Sequence, residues 1–431
     1  MTERRTTSGL FPRAVSAAWG WRLELAIGMS VGVLLRLGGV AGTGGGVLVL
    51  GLAGIVLWRV PALRRTLAVR LRLASERRWV DQAVQACSLT NPFGRRPRIA
   101  SIAHVPAGLR VRVRVPLGHH AGHLLKAAPS LEAALRVQEV RVTRELSDAA
   151  MAQMLIVVRD PLGVGPPLLW PWRDLATTSA WDPVPIGVDE DGGVVEIRLA
   201  EHNLLLGGEP GAGKSAVLNL LVAATALDPA TTLTVFDGKQ VELAAWEACA
   251  DRFCGPDMTR AAETFEALRA EMDRRYLGLH ANHQRKIDPG SAALHVVVID
   301  ELAFYLRSGA KTERTDFADG LHDLVSRGRA AGMVVLAATQ KPGHEVVPTW
   351  IRDLFSFRLA LRCTTPEASD TVLGQGWAHE GYSASTIAGA NRGVGFLLAE
   401  GSVPVKLRAF YLDDGEIAEV ARRATVLRGQ R

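Results

Sequence analysis

The chain has 431 residues, of which 48% are hydrophobic and 22% carry a charge. This composition excludes an intrinsically disordered protein and allows two or three packed domains. The net charge of +6 suits a polyanionic partner or an anionic membrane face, without deciding between them. The four cysteines form no paired motif that would predict a zinc site or a disulfide framework, so buried free thiols are expected. They are Cys87, Cys249, Cys254 and Cys363.

Two apolar, glycine-rich segments near the start of the chain predict a membrane hairpin within residues 1–60. They cover residues 23–40 and 44–58, with a glycine-rich turn between them. Both lie near the short end of the roughly 17–25 residues that a spanning helix needs, and Arg36 must snorkel or pair. Arginines flank both sides, so the positive-inside rule places both ends, and the chain that follows them, in the cytoplasm. The alternative is a buried helical hairpin in a soluble core.

The next stretch predicts a basic helix and then a small α/β module. A juxtamembrane helix and linker are expected over residues 61–90, with the helix from Pro61 to Ala86, and the module over residues 91–190. Residues 108–116 alternate apolar residues with arginine, which indicates a half-exposed strand. Its arginine side could contact nucleic acid or simply face solvent.

A helix and three further strands are predicted between this strand and the phosphate-binding loop described below. Apolar residues at helical spacing predict a helix over residues 130–146. Strands are predicted at residues 154–158, 185–188 and 194–199. The proline- and tryptophan-rich residues 165–185 look like a linker or a packing belt.

A phosphate-binding loop begins the motor domain predicted over residues 191–412. It reads Gly208-Glu209-Pro210-Gly211-Ala212-Gly213-Lys214-Ser215 and fits G-x-x-x-x-G-K-[ST] without a mismatch. A short apolar run precedes it and a helix-forming run follows, which is the arrangement that places an anion at a helix N-terminus. In such loops the lysine reaches the β- and γ-phosphates and the hydroxyl binds Mg²⁺. The sequence therefore predicts ATP as ligand, held by these eight residues, with Lys214 also catalytic.

Further buried strands end in polar residues at the spacing that a P-loop ATPase needs. Residues 295–299 form a β-branched run that ends in Asp300 and Glu301. Asp300 is expected to bind Mg²⁺ together with Ser215, and Glu301 to polarise the attacking water. Residues 233–237 form another such strand and end in Asp237.

Two later strands carry candidate sensor and finger residues. Residues 333–340 end in Gln340, a usual position for sensing the γ-phosphate, and residues 355–362 carry Arg358. An arginine at such a place can act as a finger on a neighbouring subunit's nucleotide, or it can be an ordinary salt-bridge residue.

In order along the chain, these motifs resemble the FtsK/SpoIIIE family of DNA-pumping ATPases. The specific signals are Arg327-Gly328-Arg329-Ala330-Ala331-Gly332 and Ala338-Thr339-Gln340-Lys341-Pro342. Two short membrane segments and the Phe-Asp-Gly-Lys version of one motif resemble the plasmid-transfer translocases of actinomycetes, of the TraB/TraSA type. The resemblance implies a RecA-like domain that assembles as a hexamer around duplex DNA, with Arg358 and Gln340 in the family's arginine and glutamine positions.

Two departures limit this resemblance. Chromosome-segregating members carry four membrane spans and a long linker, and they end in a winged-helix module. Here residues 413–431 predict one amphipathic helix, whereas a separate folded module needs some 60 residues.

The function predicted from the sequence is a membrane-anchored, ATP-driven translocase of double-stranded DNA, serving conjugative transfer of a plasmid or integrative element. Accessory transfer proteins are possible partners. The alternatives are an FtsK-like motor in chromosome segregation or cell division, a protein-export ATPase, and a nucleotide-dependent scaffold of the division site.

Overall fold

The computed structural model describes residues 61–87, 89–145, 147–340 and 348–429. Contacts within the chain divide it between Arg159 and Asp160 into two units. The predicted hairpin of residues 1–60 lies outside the described residues. Within the described ranges, no helix has the length and apolar character needed to cross a bilayer.

The first unit is a four-stranded antiparallel sheet covered by helices on one face. Its strands pair in the order β1-β2-β4-β3, and Val111, Val113 and Met154 point to the buried face. The elements are α1 (Pro61–Ala86), β1 (Arg98–Val105), β2 (Gly108–Arg114), α2 (Ala121–Lys126), α3 (Ala128–Leu135), β3 (Glu139–Arg144) and β4 (Met151–Val157). The basic helix and the alternating arginine strand are therefore confirmed.

The single helix predicted over residues 130–146 is wrong. The helix ends at Leu135, because Arg136 adopts a left-handed conformation (φ 55°, ψ 46°) that the helix cannot continue through. Residues 139–144 then form β3, in which Val140 is buried and its neighbours are less so. The alternation with period two in Glu-Val-Arg-Val-Thr-Arg was the signal for a strand.

The second unit is built on a ten-stranded mixed sheet. The strand order is β6-β5-β14-β13-β12-β7-β11-β10-β8-β9. The six strands from β12 to β9 run parallel, and the four at the other end pair antiparallel. The strands are β5 (Val184–Asp189), β6 (Val194–Ile197), β7 (Leu204–Gly207), β8 (Thr232–Phe236), β9 (Arg252–Cys254), β10 (His295–Ile299), β11 (Met333–Thr339), β12 (Phe357–Leu361), β13 (Val394–Leu398) and β14 (Val405–Ala409).

Helices cover both faces of this sheet, so its central strands are buried along their whole length. The helices are α4 (Lys214–Ala226), α5 (Met258–Ala281), α6 (Leu302–Arg307), α7 (Lys311–Arg327), α8 (Thr349–Arg352), α9 (Pro366–Leu373) and α10 (Asp414–Arg428), with 3₁₀ turns at Ala244–Trp246 and Ala384–Thr386. One core lies around α4 and α10, and a second contains residues of α5, α6 and α7. This is the mixed α/β, parallel-rich fold expected of a P-loop ATPase.

The boundary between the units differs from the predicted one at residue 190. β5 and β6 belong to the large sheet, where β5 pairs with β14 through Gly187 and Ala409. The C-terminal helix is also part of this unit, since Val420 and Ala424 lie in its core. From the sequence, β5 was assigned to the small module because it follows that module in the chain. Its partner strand β14 comes some 220 residues later.

Candidate active site

The phosphate-binding loop joins the buried strand β7 to helix α4. Gly213 is the residue before the helix and has φ +109°, a conformation that glycine adopts without strain. Lys214 is the first helical residue, so the loop directs backbone N–H groups and the helix N-terminus at one place. The predicted order of strand, glycine loop and helix is confirmed.

The loop is held by two segments from much later in the chain. The N–H of Gly393 donates to the carbonyl of Ala212 at 2.9 Å, and the N–H of Glu209 donates to the carbonyl of Arg362 at 3.0 Å. The guanidinium of Arg362 lies 3.2 Å from the Glu209 carboxylate. A Cβ on Gly213 would lie only 2.9 Å from the nitrogen of Gly393, so this contact requires glycine. The loop is therefore positioned before any ligand arrives.

Lys214 is buried, with 6% of its surface exposed. Its Nζ lies 3.4 Å from the carbonyl oxygen of Glu209, a long and therefore weak hydrogen bond. Burial lowers its pKa, and the nearby carboxylates of Glu301 and Asp300 oppose this effect. A buried cation of this kind is suited to an anionic ligand.

Asp300 follows β10 and is also buried. Among the described residues, its Oδ2 finds no hydrogen-bond partner. Burial, and then the charges of Asp237 and Glu242, raise the pKa of Asp300 to about 7. A buried carboxylate oxygen without a hydrogen-bond partner among the described residues has the chemistry of a metal ligand.

These residues fit a Mg²⁺ ion that is bound chiefly through nucleotide phosphates. Among the residues that the structure describes, no three histidine, cysteine or acidic side chains are grouped to hold a metal by themselves. Mg²⁺ in phosphate-transfer sites needs only one or two protein ligands besides phosphate and water. Asp300 and Ser215 would supply them.

Asp237 shapes the turn after β8. Its carboxylate accepts hydrogen bonds from the backbone N–H groups of Lys239, Gln240 and Leu243, at 2.9–3.1 Å. The turn carries Glu242 to the wall of the cavity described below. The sequence predicted the strand before Asp237 but not the position of Glu242.

Glu301 lies against the end of the neighbouring strand β11. Its carboxylate accepts hydrogen bonds from the hydroxyl of Thr339, at 3.1 Å, and from the backbone N–H of Gln340. The side chain is 9% exposed. Glu301, which lies just after β10, is thus linked directly to the end of β11, because parallel strands end at the same edge of the sheet.

Arg358 is not at that edge. It pairs with Leu205 within β12 and is half-buried. Its guanidinium donates to the carbonyls of Phe355, at 3.1 Å, and Leu373, at 3.3 Å, and burial lowers its pKa. The structure does not bring Arg358 to the other predicted site residues. Its hydrogen bonds to backbone carbonyls are those of a structural residue.

A cavity of about 660 Å³ opens beside the phosphate-binding loop. Lys214, Ser215 and Gln340 line it, as the sequence predicted for a shared site. Three further segments that the sequence did not single out complete the lining: residues 163–168, residues 390–393 and residues 408–411. No contiguous motif marks these segments, because they meet the loop only through the fold.

Comparison with known proteins relates this site to one family. Residues 172–384 match the model of the FtsK/SpoIIIE family. The chain is 28% identical over 266 residues to the DNA translocase FtsK of Streptomyces avermitilis, and 27% identical over 264 residues to that of Mycobacterium tuberculosis. These matches cover 56% and 55% of this chain, but only 28% and 30% of the relatives, so the chain matches less than a third of their length.

Two solved structures share the fold at low sequence identity. The conjugation coupling protein TcpA of pCW3, solved as a monomer form with ATPγS, aligns with a TM-score of 0.52 and 18% identity, over 82% of this chain and 99% of that one. ATPases 2 and 3 of EssC from Geobacillus thermodenitrificans align with a TM-score of 0.51 and 16% identity, over 62% of this chain and 52% of that one.

Proposed function

We propose that the chain is an ATP-driven translocase of double-stranded DNA, because residues 172–384 match the model of the FtsK/SpoIIIE family. One observation carries the proposal. A preformed phosphate loop, the acids just after β10 and the polar residues at the end of β11 meet at a single edge of the sheet. DNA is proposed as the substrate because the names of the curated relatives describe them as DNA translocases.

Each residue at the edge has a role that its surroundings support. Lys214 and the loop N–H groups bind the β- and γ-phosphates. Glu301, fixed by its hydrogen bonds to Thr339 and Gln340, orients and polarises the attacking water. Gln340, whose backbone holds that carboxylate, responds to the γ-phosphate, so occupancy of the site and position of the base are coupled.

Asp300 and Ser215 would hold a Mg²⁺ ion. When bound, this ion neutralises the charge that develops on the phosphate oxygens. The burial that raises the pKa of Asp300 also removes water that would screen its charge, which strengthens its attraction for a cation.

The wider assignment is conjugative transfer of a plasmid or integrative element by a membrane-anchored homohexamer, with the motor in the cytoplasm and with accessory transfer proteins. The apolar, arginine-flanked segments of residues 1–60 support the anchor. The fold shared with a conjugation coupling protein is compatible with the transfer role.

The test is the ATPase rate of the purified full chain, with and without duplex DNA of unrelated sequence, over a range of salt concentrations. We expect strong stimulation that fades as salt rises, because a motor that grips phosphates releases counterions and ignores base sequence. Lys214→Ala should abolish turnover at unchanged thermal stability, whereas Lys311→Ala, on the exposed start of α7, should match the wild type.

Two outcomes would contradict the proposal. Turnover by the Lys214→Ala variant would separate hydrolysis from the phosphate loop. Hydrolysis that duplex DNA leaves unchanged, and that a protein substrate raises instead, would replace the DNA motor with an export ATPase.

A further inference from the structure

The cavity beside the phosphate loop extends beyond what phosphates require. Its volume of about 660 Å³ lies in the range of sites that enclose a whole small molecule, about 300–1,000 Å³. The phosphate loop forms only one part of its lining. Much of the remainder is apolar: Val164, Pro167, Leu168, Phe410 and Tyr411. Apolar walls of this kind suit a flat ring and are of no use to a phosphate chain.

The segment of residues 163–168 is fixed by one arginine from β14. Nη1 of Arg408 donates to the carbonyl of Gly163 at 3.0 Å, and Nη2 donates to the carbonyls of Gly165, at 2.9 Å, and Pro166, at 3.0 Å. A planar guanidinium can satisfy three carbonyls at once, which a lysine ammonium on a flexible stem does with poorer geometry.

Further along, the same segment is attached to the residues after β14. The N–H of Tyr411 donates to the carbonyl of Leu168 at 2.8 Å, and Leu169 forms a parallel bridge with Tyr411. Both ends of the segment are therefore anchored to residues 408–411, which themselves line the cavity. A loop without strand or helix of its own becomes a fixed wall.

We propose that this wall binds the base and ribose of the nucleoside triphosphate, and that Arg408 is the positioning residue for that half of the site. The inference rests on the proposed function, since it takes the phosphate loop as the seat of the phosphates. Affinity for the nucleoside then depends on Arg408, and affinity for the phosphate chain does not.

Comparison of two ligands tests this division. The dissociation constants of Mg-ATP and of magnesium tripolyphosphate, which has no base or ribose, are measured on the full chain by titration calorimetry. Arg408→Lys should raise the constant for ATP about tenfold and leave that for tripolyphosphate unchanged. Tyr411→Ala, which removes a ring that is 39% exposed and so leaves little buried void, should give the same pattern.

A matched control is available in the same unit. Arg423 also donates to backbone carbonyls, those of Arg173 and Leu175, but it does not line the cavity. Arg423→Lys should change neither constant.

The possible failures are distinguishable. If folded Arg408→Lys and Tyr411→Ala bind ATP as the wild type does, or weaken ATP and tripolyphosphate equally, the base-binding wall is overturned while the phosphate site stands. If the wild type binds neither ligand, or Lys214→Ala binds both normally, the proposed function falls and the inference with it.

Discussion

The carboxylate of Glu301 accepts the backbone N–H of Gln340, with 3.1 Å between Oε2 and the amide nitrogen. A base held by a neighbouring strand is already oriented when the substrate arrives. Glu301→Gln should therefore bind ATP normally and hydrolyse it about a hundredfold more slowly, since an amide cannot take up the water's proton. Glu380→Gln, on an exposed turn, is the control. Single-turnover assays would reveal the role as wrong if the variant retained the wild-type rate.

Thr339 contributes the second hydrogen bond to Glu301 and is itself 1% exposed. Thr339→Val keeps the volume but removes the hydroxyl, so Glu301 loses one of its orienting donors. We expect turnover to fall about tenfold, with the dissociation constant of ATP unchanged. Thr339→Ser should restore most of the rate. A loss of ATP affinity in the valine variant, without loss of rate, would mean that Thr339 supports binding and not the base.

Two glycines of the phosphate loop allow the effect of a steric clash to be measured apart from the effect of backbone strain. Gly213→Ala places a Cβ 2.9 Å from the nitrogen of Gly393 in addition to its positive φ, whereas at Gly211 (φ +74°) a Cβ meets nothing within 4 Å. Gly211→Ala should cost only the backbone strain, about 1–2 kcal/mol, but Gly213→Ala should also displace residue 393. Nucleotide titration should find binding abolished in Gly213→Ala and weakened in Gly211→Ala. Equal losses would mean that the contact with Gly393 is unimportant.

The contacts of Arg358 favour a structural role in this domain over that of an arginine finger. Because its guanidinium donates to the carbonyls of Phe355 and Leu373, Arg358→Ala should leave two acceptors unsatisfied and lower the free energy of unfolding by about 2 kcal/mol. Turnover per folded molecule should be retained. Thermal unfolding and ATPase assays on the same sample decide the matter. Unchanged stability together with lost hydrolysis and retained ATP binding would establish the finger role predicted from the sequence.

A contact between a buried histidine and a carboxylate at the far end of β10 predicts a pH dependence of stability. His295, which is fully buried, contacts Glu271 at 3.2 Å, and this contact is the main reason that the pKa of Glu271 is lowered to about 2. A lowered carboxyl pKa stabilises the fold above the unfolded value of 4.5 and loses this contribution as the pH falls toward 2.

Glu271→Gln should consequently lower the free energy of unfolding by about 2 kcal/mol at neutral pH. The difference from the wild type should shrink as the pH falls from 4.5 toward 2. Glu266→Gln on the same helix, at a side chain that is 73% exposed, is the control. Denaturant titrations at several pH values provide the measurement, and a difference that is constant with pH would exclude the linkage.

The sequence alone was sufficient to predict those parts of the site whose residues are contiguous in the chain. Strand, loop and helix around Lys214, and the acids after β10, each lie in one short run whose pattern carries both the structure and the chemistry. Parallel pairing then brings the strand ends together without further information.

The parts of the site that the sequence did not predict depend on contacts between residues that are far apart in the chain. Arg408 reaches Gly163 over 245 residues, and Gly393 meets Ala212 over 181 residues. No local periodicity records such contacts. Arg358 fits a family pattern by position, but its side chain donates to the carbonyls of Phe355 and Leu373, and the pattern contains no information on these contacts.

The antiparallel end of the large sheet has a consequence for biosynthesis. β5 and β6 leave the ribosome as a hairpin, but the other edge of β5 pairs only with β14, which is translated some 220 residues later. At 5–20 residues per second this edge waits roughly 10–40 seconds. An unpaired strand edge is a template for association with other nascent chains. The emerging polypeptide is thus a natural client for chaperones, and its yield in overexpression should improve when chaperones are supplied.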